Sequence, residues 1–281
     1  MLPSAEPPLS PAAYGYLADL VYDRSRIRLG PDKQALVAGR LGRRLQWLGC
    51  GTFEDYCALL QAPGSEDEIG ALVDLISTNH TQFFREAAHF QILAERVLPR
   101  LADRAVAAGR DALVWSAAAA SGEEAYSLGI VLAEFARTRP GFTWRVHASD
   151  ISRRMLDRCR LGIYESDKVV LPAQELLPRY FQRGHGEREG FYRVKPELRR
   201  LVSVEHVNLF DASYPLPRDI DVIFCRNVMI YFDVESRREL VERLYDQLAP
   251  GGHLFVGHAE SLIGLGHRFK TAWPGVYLRP S

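Results

Sequence analysis

After Gly109 the chain settles into a repeating pattern in which short apolar runs alternate with stretches of helical periodicity. The runs are Leu113 to Trp115, Trp144 to Ala148, Ile220 to Cys225 and Leu254 to Val256. Such alternation predicts parallel strands joined by right-handed helical crossovers. His267 to Arg279, with Trp273-Pro274-Gly275 in its middle, reads as a closing antiparallel hairpin. The expected fold class is α/β, a doubly wound domain running from about residue 105 to the end. Tyr164 to Arg200 departs from the pattern: it is polar, is centred on Arg183-Gly184-His185-Gly186, and lies where one short crossover would suffice. Phe191-Tyr192-Arg193-Val194 alternates like a strand beyond that glycine turn, so the segment from about 165 to 200 reads as an inserted subdomain of short antiparallel strands.

Before Gly109 the periodicity is helical. Leu17, Leu20 and Val21 mark one helix face, Leu36, Leu41, Leu45 and Leu48 a second, and Ile69, Leu72, Val73 and Ile76 another. Gly30-Pro31, Gly49-Cys50-Gly51 and Pro63-Gly64 break the helices apart. The division expected is an all-α domain over 11–90, a linker helix over 91–104 and the α/β domain over 105–281. The first ten residues hold three prolines and lack the basic and apolar stretches of a signal peptide, so they read as a flexible leader. No charge-free apolar run reaches the roughly 18 residues of a membrane helix. The expectation is a soluble, cytoplasmic protein.

Charge and cysteine usage narrow the function classes. Lys+Arg and Asp+Glu are equal at 35 each, which removes the basic footprint of a general nucleic-acid binder. Cys50, Cys57, Cys159 and Cys225 form no CxxC pair and have no histidine cluster at ligand spacing. Neither a metal nor a disulfide framework is expected.

In an open α/β sheet, ligands bind outside the carboxyl ends of the strands. Ser116-Ala-Ala-Ala-Ala-Ser121-Gly122-Glu123-Glu124 follows the first strand. Its small side chains would let a ligand approach the backbone, or would simply make a tight strand-to-helix turn. The paired acids Glu123 and Glu124 complement a helix N-terminus, repel a pyrophosphate and attract a cationic ligand. Asp150, ending the second strand, suits ribose hydroxyls or a helix cap. Asn208-Leu209 and Arg226-Asn227 follow the next two strands. Polar residues at four successive strand ends thus converge on one crevice.

Several of these segments resemble the chemotaxis-receptor protein-glutamate O-methyltransferases of the CheR type. The likeness is carried by Thr78-Asn79-His-Thr81-Gln-Phe83-Phe84-Arg85, by Trp115-Ser116 through Ser121-Gly122-Glu123-Glu124-Ala-Tyr126-Ser127, and by Ala148-Ser149-Asp150-Ile151. Ile223-Phe-Cys225-Arg226-Asn227-Val-Met-Ile-Tyr231-Phe232-Asp233 and Gly257-His258-Ala-Glu260-Ser261 continue it in the same order. Ala125 and Ala259 depart from a proline and a serine common in the family. The resemblance implies S-adenosylmethionine as methyl donor, S-adenosylhomocysteine as product, and a receptor glutamate as acceptor, with no metal. It puts Asn79, Thr81 and Arg85 at the border of the cofactor, and Glu124, together with Glu123, near its methionine moiety. Asp150 would hold the ribose, Asn208 and Leu209 would contact the adenosine, and Arg226 and Asn227 would close the pocket. Arg85 and Tyr231 would stand beside the transferring methyl.

A glutamate acceptor is already anionic at neutral pH, so orientation rather than a strong base should dominate catalysis. Lys33, Arg40, Arg43 and Arg44 recur at helical spacing and read as a face for docking acidic receptor helices, against the plainer reading of a solvated surface. In the family the inserted segment has a counterpart that, in some members, captures a receptor's C-terminal tether as an added strand; Arg183 to Gly190 resembles the loop of those members. The expected assembly is a monomer, without nucleic-acid or membrane partners. The competing readings are a catalytically slow, cofactor-binding receptor scaffold and a methyltransferase for small molecules or nucleic acid.

Overall fold

A computed structural model describes residues 7–281. The chain divides into two compact units, one comprising residues up to Thr78 together with Tyr231–Asp233, the other Asn79–Ile230 with Val234–Ser281.

The first unit contains four helices: α1 (Pro11–Ser25), α2 (Gln34–Leu48), α3 (Phe53–Gln61) and α4 (Glu66–Ile76). Their starts are written locally. The Ser10 hydroxyl accepts from the Ala13 N–H ahead of Pro11, and Thr52 and Asp55 form a reciprocal capping box. The leader expectation for residues 1–6 lies outside the described residues, whereas Leu9 and Ser10 are fixed: Leu9 is buried and its carbonyl accepts from Gln34 Nε2 at 2.5 Å. Leu17, Val21, Val37, Leu41, Leu45, Phe53, Tyr56 and Leu72 build the core. Val37 takes the place expected for Leu36, which is 39% exposed, because 37, 41 and 45 repeat every four residues and 36 falls off that row. The segment Tyr231–Asp233 is tied here by Arg28 N–H donating to Tyr231 O at 2.9 Å and by Tyr22 Oη donating to Asp233 Oδ2 at 2.6 Å.

The second unit opens with α5 (Ala87–Ile92) and α6 (Leu98–Ala107), joined by one wide π-turn at Leu93–Val97. Pro99, in the first turn of α6, has no N–H to donate and its ring would crowd the Glu95 carbonyl, which the wide turn relieves. Phe83, Phe90, Leu93, Val97, Leu98 and Leu101 all pack into this unit's core. The boundary therefore falls at residue 78 and not at 90, since the side chains after Asn79 find their apolar partners here.

The remaining elements are β1 (Ala112–Ala117), α7 (Glu123–Thr138), β2 (Trp144–Asp150), α8 (Arg153–Leu161), β3 (Ile163–Glu165), α9 (Leu176–Tyr180), β4 (Phe181–Arg183), β5 (Phe191–Val194), α10 (Pro196–Arg199), β6 (Val202–His206), β7 (Ile220–Cys225), α11 (Val234–Gln247), β8 (Leu248–Phe255), β9 (Lys270–Trp273) and β10 (Val276–Leu278). Seven strands form one sheet in the order β6-β2-β1-β7-β8-β10-β9, parallel except that β10 runs antiparallel to both neighbours. The closing hairpin and the insertion are as expected: β3, β5 and β4 make a separate antiparallel sheet. In β7 the buried Asp221 carboxylate takes both Arg110 guanidinium nitrogens, at 2.7 and 2.8 Å, and the Leu113 N–H at 2.9 Å. That bond set locks the start of β1 beside β7, and the chain reverses its direction of sheet growth between these two strands. No helix of the described residues is long and apolar enough to cross a membrane.

His253 of β8 stacks on Trp273 with ring centroids 6.1 Å apart, and burial, followed by Arg104 and Arg100, pushes its pKa down to about 4. The folded chain keeps this imidazole neutral, whereas the unfolded chain protonates it near pH 6.5. Stability should therefore fall as pH drops from about 6.5 towards about 4, by up to ~1.4 kcal/mol per pH unit for this one group. Urea titrations across that window should show a shallower acid-side loss in His253→Gln, and an unchanged slope would contradict the assignment.

Candidate active site

The crevice lies at the carboxyl ends of β1, β2 and β7. Ala118 (φ 66°), Ala120 (φ 47°) and Gly122 (φ 98°) all occupy the left-handed region in the turn after β1. A Cβ at residue 122 would sit 2.5 Å from Cys159 Sγ, so only glycine fits there. Asp150 fixes this turn from the neighbouring strand. Its Oδ2 accepts the Ala120 N–H at 2.8 Å and its Oδ1 the Ser152 N–H at 2.9 Å, while Ser152 itself caps α8. Asp150 thus holds backbone just beyond two strand ends, while the helix cap itself falls to Ser152.

Arg226, just past β7, is buried and carries a charge that must be answered. Its Nη2 lies 2.8 Å from Glu86 Oε2 and donates to the Arg85 carbonyl at 2.6 Å, and its Nη1 donates to Glu124 Oε2 at 3.1 Å. Glu124 is completed by the Ser116 hydroxyl at 2.7 Å. Burial pushes the Glu124 carboxyl up, against the pull of Arg226. Burial acts in the same sense on Glu86, but hydrogen bonding and charge from Arg226, with Asn227, hold it below its usual range. A third carboxylate, Glu260, accepts the N–H groups of Asn227, Gly257 and Met229, each at 2.7 Å, and so clamps the loops after β7 and β8 together. Two carboxylates face one buried guanidinium and a third lies in the adjoining loops, an excess of acidic groups suited to a cation.

The other expected residues are placed less centrally. Glu123 turns to the Ser121 hydroxyl at 2.7 Å, and burial raises its pKa. Asn208 Oδ1 accepts the Phe210 N–H at 3.0 Å, and the Leu209 carbonyl accepts from Tyr214, whose ring rests 5.1 Å from that of Trp115. Asn79 and Thr81 lie half-buried in the irregular stretch before α5, and the Arg85 guanidinium donates back to the His80 carbonyl at 3.0 Å. Tyr231 belongs to the first unit. So does the basic set, and three of its members have partners. Arg40 donates to the Ile76, Ser77 and Thr78 oxygens at the end of α4, and Arg44 pairs with buried Glu68 and stacks on Trp47 at 4.4 Å. Lys33 ends the single 3-10 turn Pro31–Lys33 ahead of α2 and pairs with Asp32, so it lies off the helical face assigned to it. Arg43 is exposed, and among the described residues it is the member of the four without a hydrogen-bond or ion-pair partner.

Glu86 and the clamping role of Glu260 were not read from the sequence. Glu260 stood inside a recognised segment, but its role depends on backbone groups that only the fold assembles. Glu86, His89 and His258 also bring ligand atoms within 4.8 Å of one another. The Glu86 carboxylate is already shared by Arg226, Asn227 and the His258 N–H, so a metal ion there would stand directly against a guanidinium.

A doubly wound sheet with polar strand ends gathered at its β1/β7 switch point defines an α/β ligand-binding domain of the nucleotide type. Comparison with known proteins is more specific: residues 12–77 match the all-alpha domain of CheR methyltransferases and residues 79–274 their SAM binding domain. The chain belongs to the CheR methyltransferase family. It is 41% identical to the chemotaxis protein methyltransferase of Escherichia coli over 269 residues, 96% of this chain and 91% of that protein. It is 40% identical to the Salmonella typhimurium chemotaxis protein methyltransferase, over 96% of this chain and 90% of that one. The S-adenosylmethionine of this family fits the donor set of the crevice: residues 79–274 match a SAM binding domain, and the carboxylates of Glu86 and Glu124 gathered at Arg226 suit a sulfonium.

Removing Asp150 should leave the Ala120 and Ser152 N–H groups without their acceptor. Asp150→Ala is expected to lose about 2–3 kcal/mol of unfolding free energy in urea, and Asp150→Asn less, because its amide oxygen retains one bond. Parent-like stability for Asp150→Ala would show that the carboxylate does not hold the turn.

Proposed function

We propose that this chain transfers the methyl group of S-adenosylmethionine to side-chain carboxylates of glutamates on chemotaxis receptors. The observation that carries the reading is the buried Arg226 paired with Glu86 and Glu124, beside the loops that Glu260 clamps, in a family whose named relatives are chemotaxis protein methyltransferases. Within it, Glu124 is assigned to the methionine end of the cofactor in preference to Glu123, which is turned towards Ser121. Asp150 is assigned to the ribose, Asn208 and Leu209 to the adenosine, Asn79, Thr81 and Arg85 to the border, and Arg226 with Asn227 to the closing wall.

The bound donor supplies an electrophilic methyl on a positively charged sulfur. The protein's part is to hold that cation by its carboxylates, exclude water and align an anionic acceptor for in-line attack. Opposite charges meet in this step, so alignment in a poorly hydrated crevice supplies the main advantage and no proton need be removed. Arg85 is assigned to orient the acceptor carboxylate, and Tyr231 shares that role on the strength of the resemblance. The chemistry calls for no metal.

Arg43 is the basic residue best suited to meet an acidic receptor helix, since Arg40 and Arg44 are engaged within their own unit. The small sheet β3-β5-β4 leaves β3 and β4 as edges on which a receptor tether could add as a strand. A cytoplasmic monomer is the state this assignment implies.

Incubation with a labelled methyl donor and a chemoreceptor preparation should yield receptor-bound label that alkali releases as methanol, the mark of a carboxyl methyl ester. Absence of label from a chain that binds the donor would favour the scaffold reading. Tyr231→Phe should lower turnover by about 10–100-fold with donor affinity kept, and a matching loss of affinity would remove Tyr231 from the acceptor side. Arg43→Glu should weaken receptor methylation several-fold, in a salt-dependent way, while leaving donor binding intact. Equal effects on both would remove the docking role.

A further inference from the structure

Glu86 stands outside every residue assigned above to the cofactor, yet three separate chain segments meet on its carboxylate. Oε1 accepts from Asn227 Nδ2 at 3.2 Å, and Oε2 meets Arg226 Nη2 at 2.8 Å and accepts the His258 N–H at 3.2 Å. The contacts come from the loop after β7 and the loop after β8, and Glu86 itself brings in the stretch before α5. The backbone is bent to bring the carboxylate there: Glu86 has φ 57°, and both Phe84 (φ 52°) and Asn227 (φ 59°) share the left-handed region that non-glycine residues seldom occupy. Strain at three neighbouring positions persists only where surrounding contacts over-determine it.

His89 closes the far side of this cluster. It is 1% exposed, and its Nδ1 lies 3.5 Å from Glu86 Oε2. Edge-on packing against Phe255, with centroids 5.7 Å apart, and the close approach of Gly275, where a Cβ would meet Nε2 at 2.8 Å, fix the ring as a wedge. The wedge leaves Glu86 seated against Arg226, and without Glu86 the buried guanidinium would keep only Glu124 as counter-charge.

We propose that Glu86 is a positioning residue that acts on the cofactor through Arg226 and Asn227, setting the wall they form without touching the ligand itself. The proposal rests on the assignment of Arg226 and Asn227 to the cofactor. It requires the effect of losing Glu86 to vanish once Arg226 no longer needs holding, which a residue serving only to stabilise the fold would not show.

The test is a double-mutant cycle on the full chain, reading the dissociation constant for S-adenosylhomocysteine by calorimetry, with circular dichroism confirming that each variant is folded. Glu86→Gln and Arg226→Gln should each weaken binding about tenfold or more, and the double variant should bind no worse than Arg226→Gln alone. Glu86→Asp, which keeps the charge but shortens the reach, covers the case in which Glu86→Gln does not fold and should also weaken binding. In the folded single variant the donor KM should rise in step with that constant, with a smaller change in kcat. If Arg226→Gln weakens binding but Glu86→Gln or Glu86→Asp leaves it unchanged, or if the two losses add in full, Glu86 is not the residue that positions the wall. If Arg226→Gln leaves binding unchanged, the cofactor assignment itself fails and this inference falls with it.

Discussion

A buried guanidinium has to be neutralised where it stands, and the crevice of this chain is arranged around that requirement. Arg226 reaches Glu86 from before α5, Glu124 from the first turn of α7, and the Arg85 carbonyl between them. Removing water from a charge is expensive unless every partner is in place, so one side chain obliges loops distant in sequence to adopt one arrangement. Glu260 extends the same logic to neutral partners by gathering three backbone N–H groups from two loops. The polar network is thus what converts a set of strand ends into a defined cavity wall.

The sheet makes this possible by supplying rigid ends. Asp221 locks β1 beside β7 with a two-pronged bond to Arg110, and Phe224 stacks on Phe255 at 4.3 Å between β7 and β8. Loops that leave such strands can hold strained conformations because their anchors do not move. A wall that is rigid before the ligand arrives loses little freedom on binding, and alignment of donor and acceptor benefits from that.

Much of this was legible in the sequence, for definable reasons. Short apolar runs such as Val222 to Cys225, alternating with helical stretches, read as strands buried on both faces, and the glycine-centred polar stretch around Arg183 betrayed the inserted sheet. The strand-end residues Asp150, Arg226 and Asn227 could be singled out because position in the fold confers their use. What could not be read was which charges answer which. Arg40 and Arg44 have the spacing of a solvated face, but their partners lie on α4 and the residues just after it, and no periodicity within α2 reveals them. Glu86 follows Arg85 in an irregular stretch with no pattern of its own, and its meaning arises only where the loops after β7 and β8 close on it. The unit boundary slipped for the same reason: helical periodicity continues past residue 78, while the core those helices serve changes.

The turn after β1 carries one more implication. Two of its left-handed positions hold alanine, a residue that gives up roughly 1 kcal/mol or more against glycine in that region. A glycine there would be free to roam whenever the crevice stood empty, whereas alanine narrows the alternatives open to the backbone. The turn therefore meets its ligand with much of its disorder already surrendered during folding. Small side chains keep the door wide, and the methyl groups on Ala118 and Ala120 keep the doorframe from shifting.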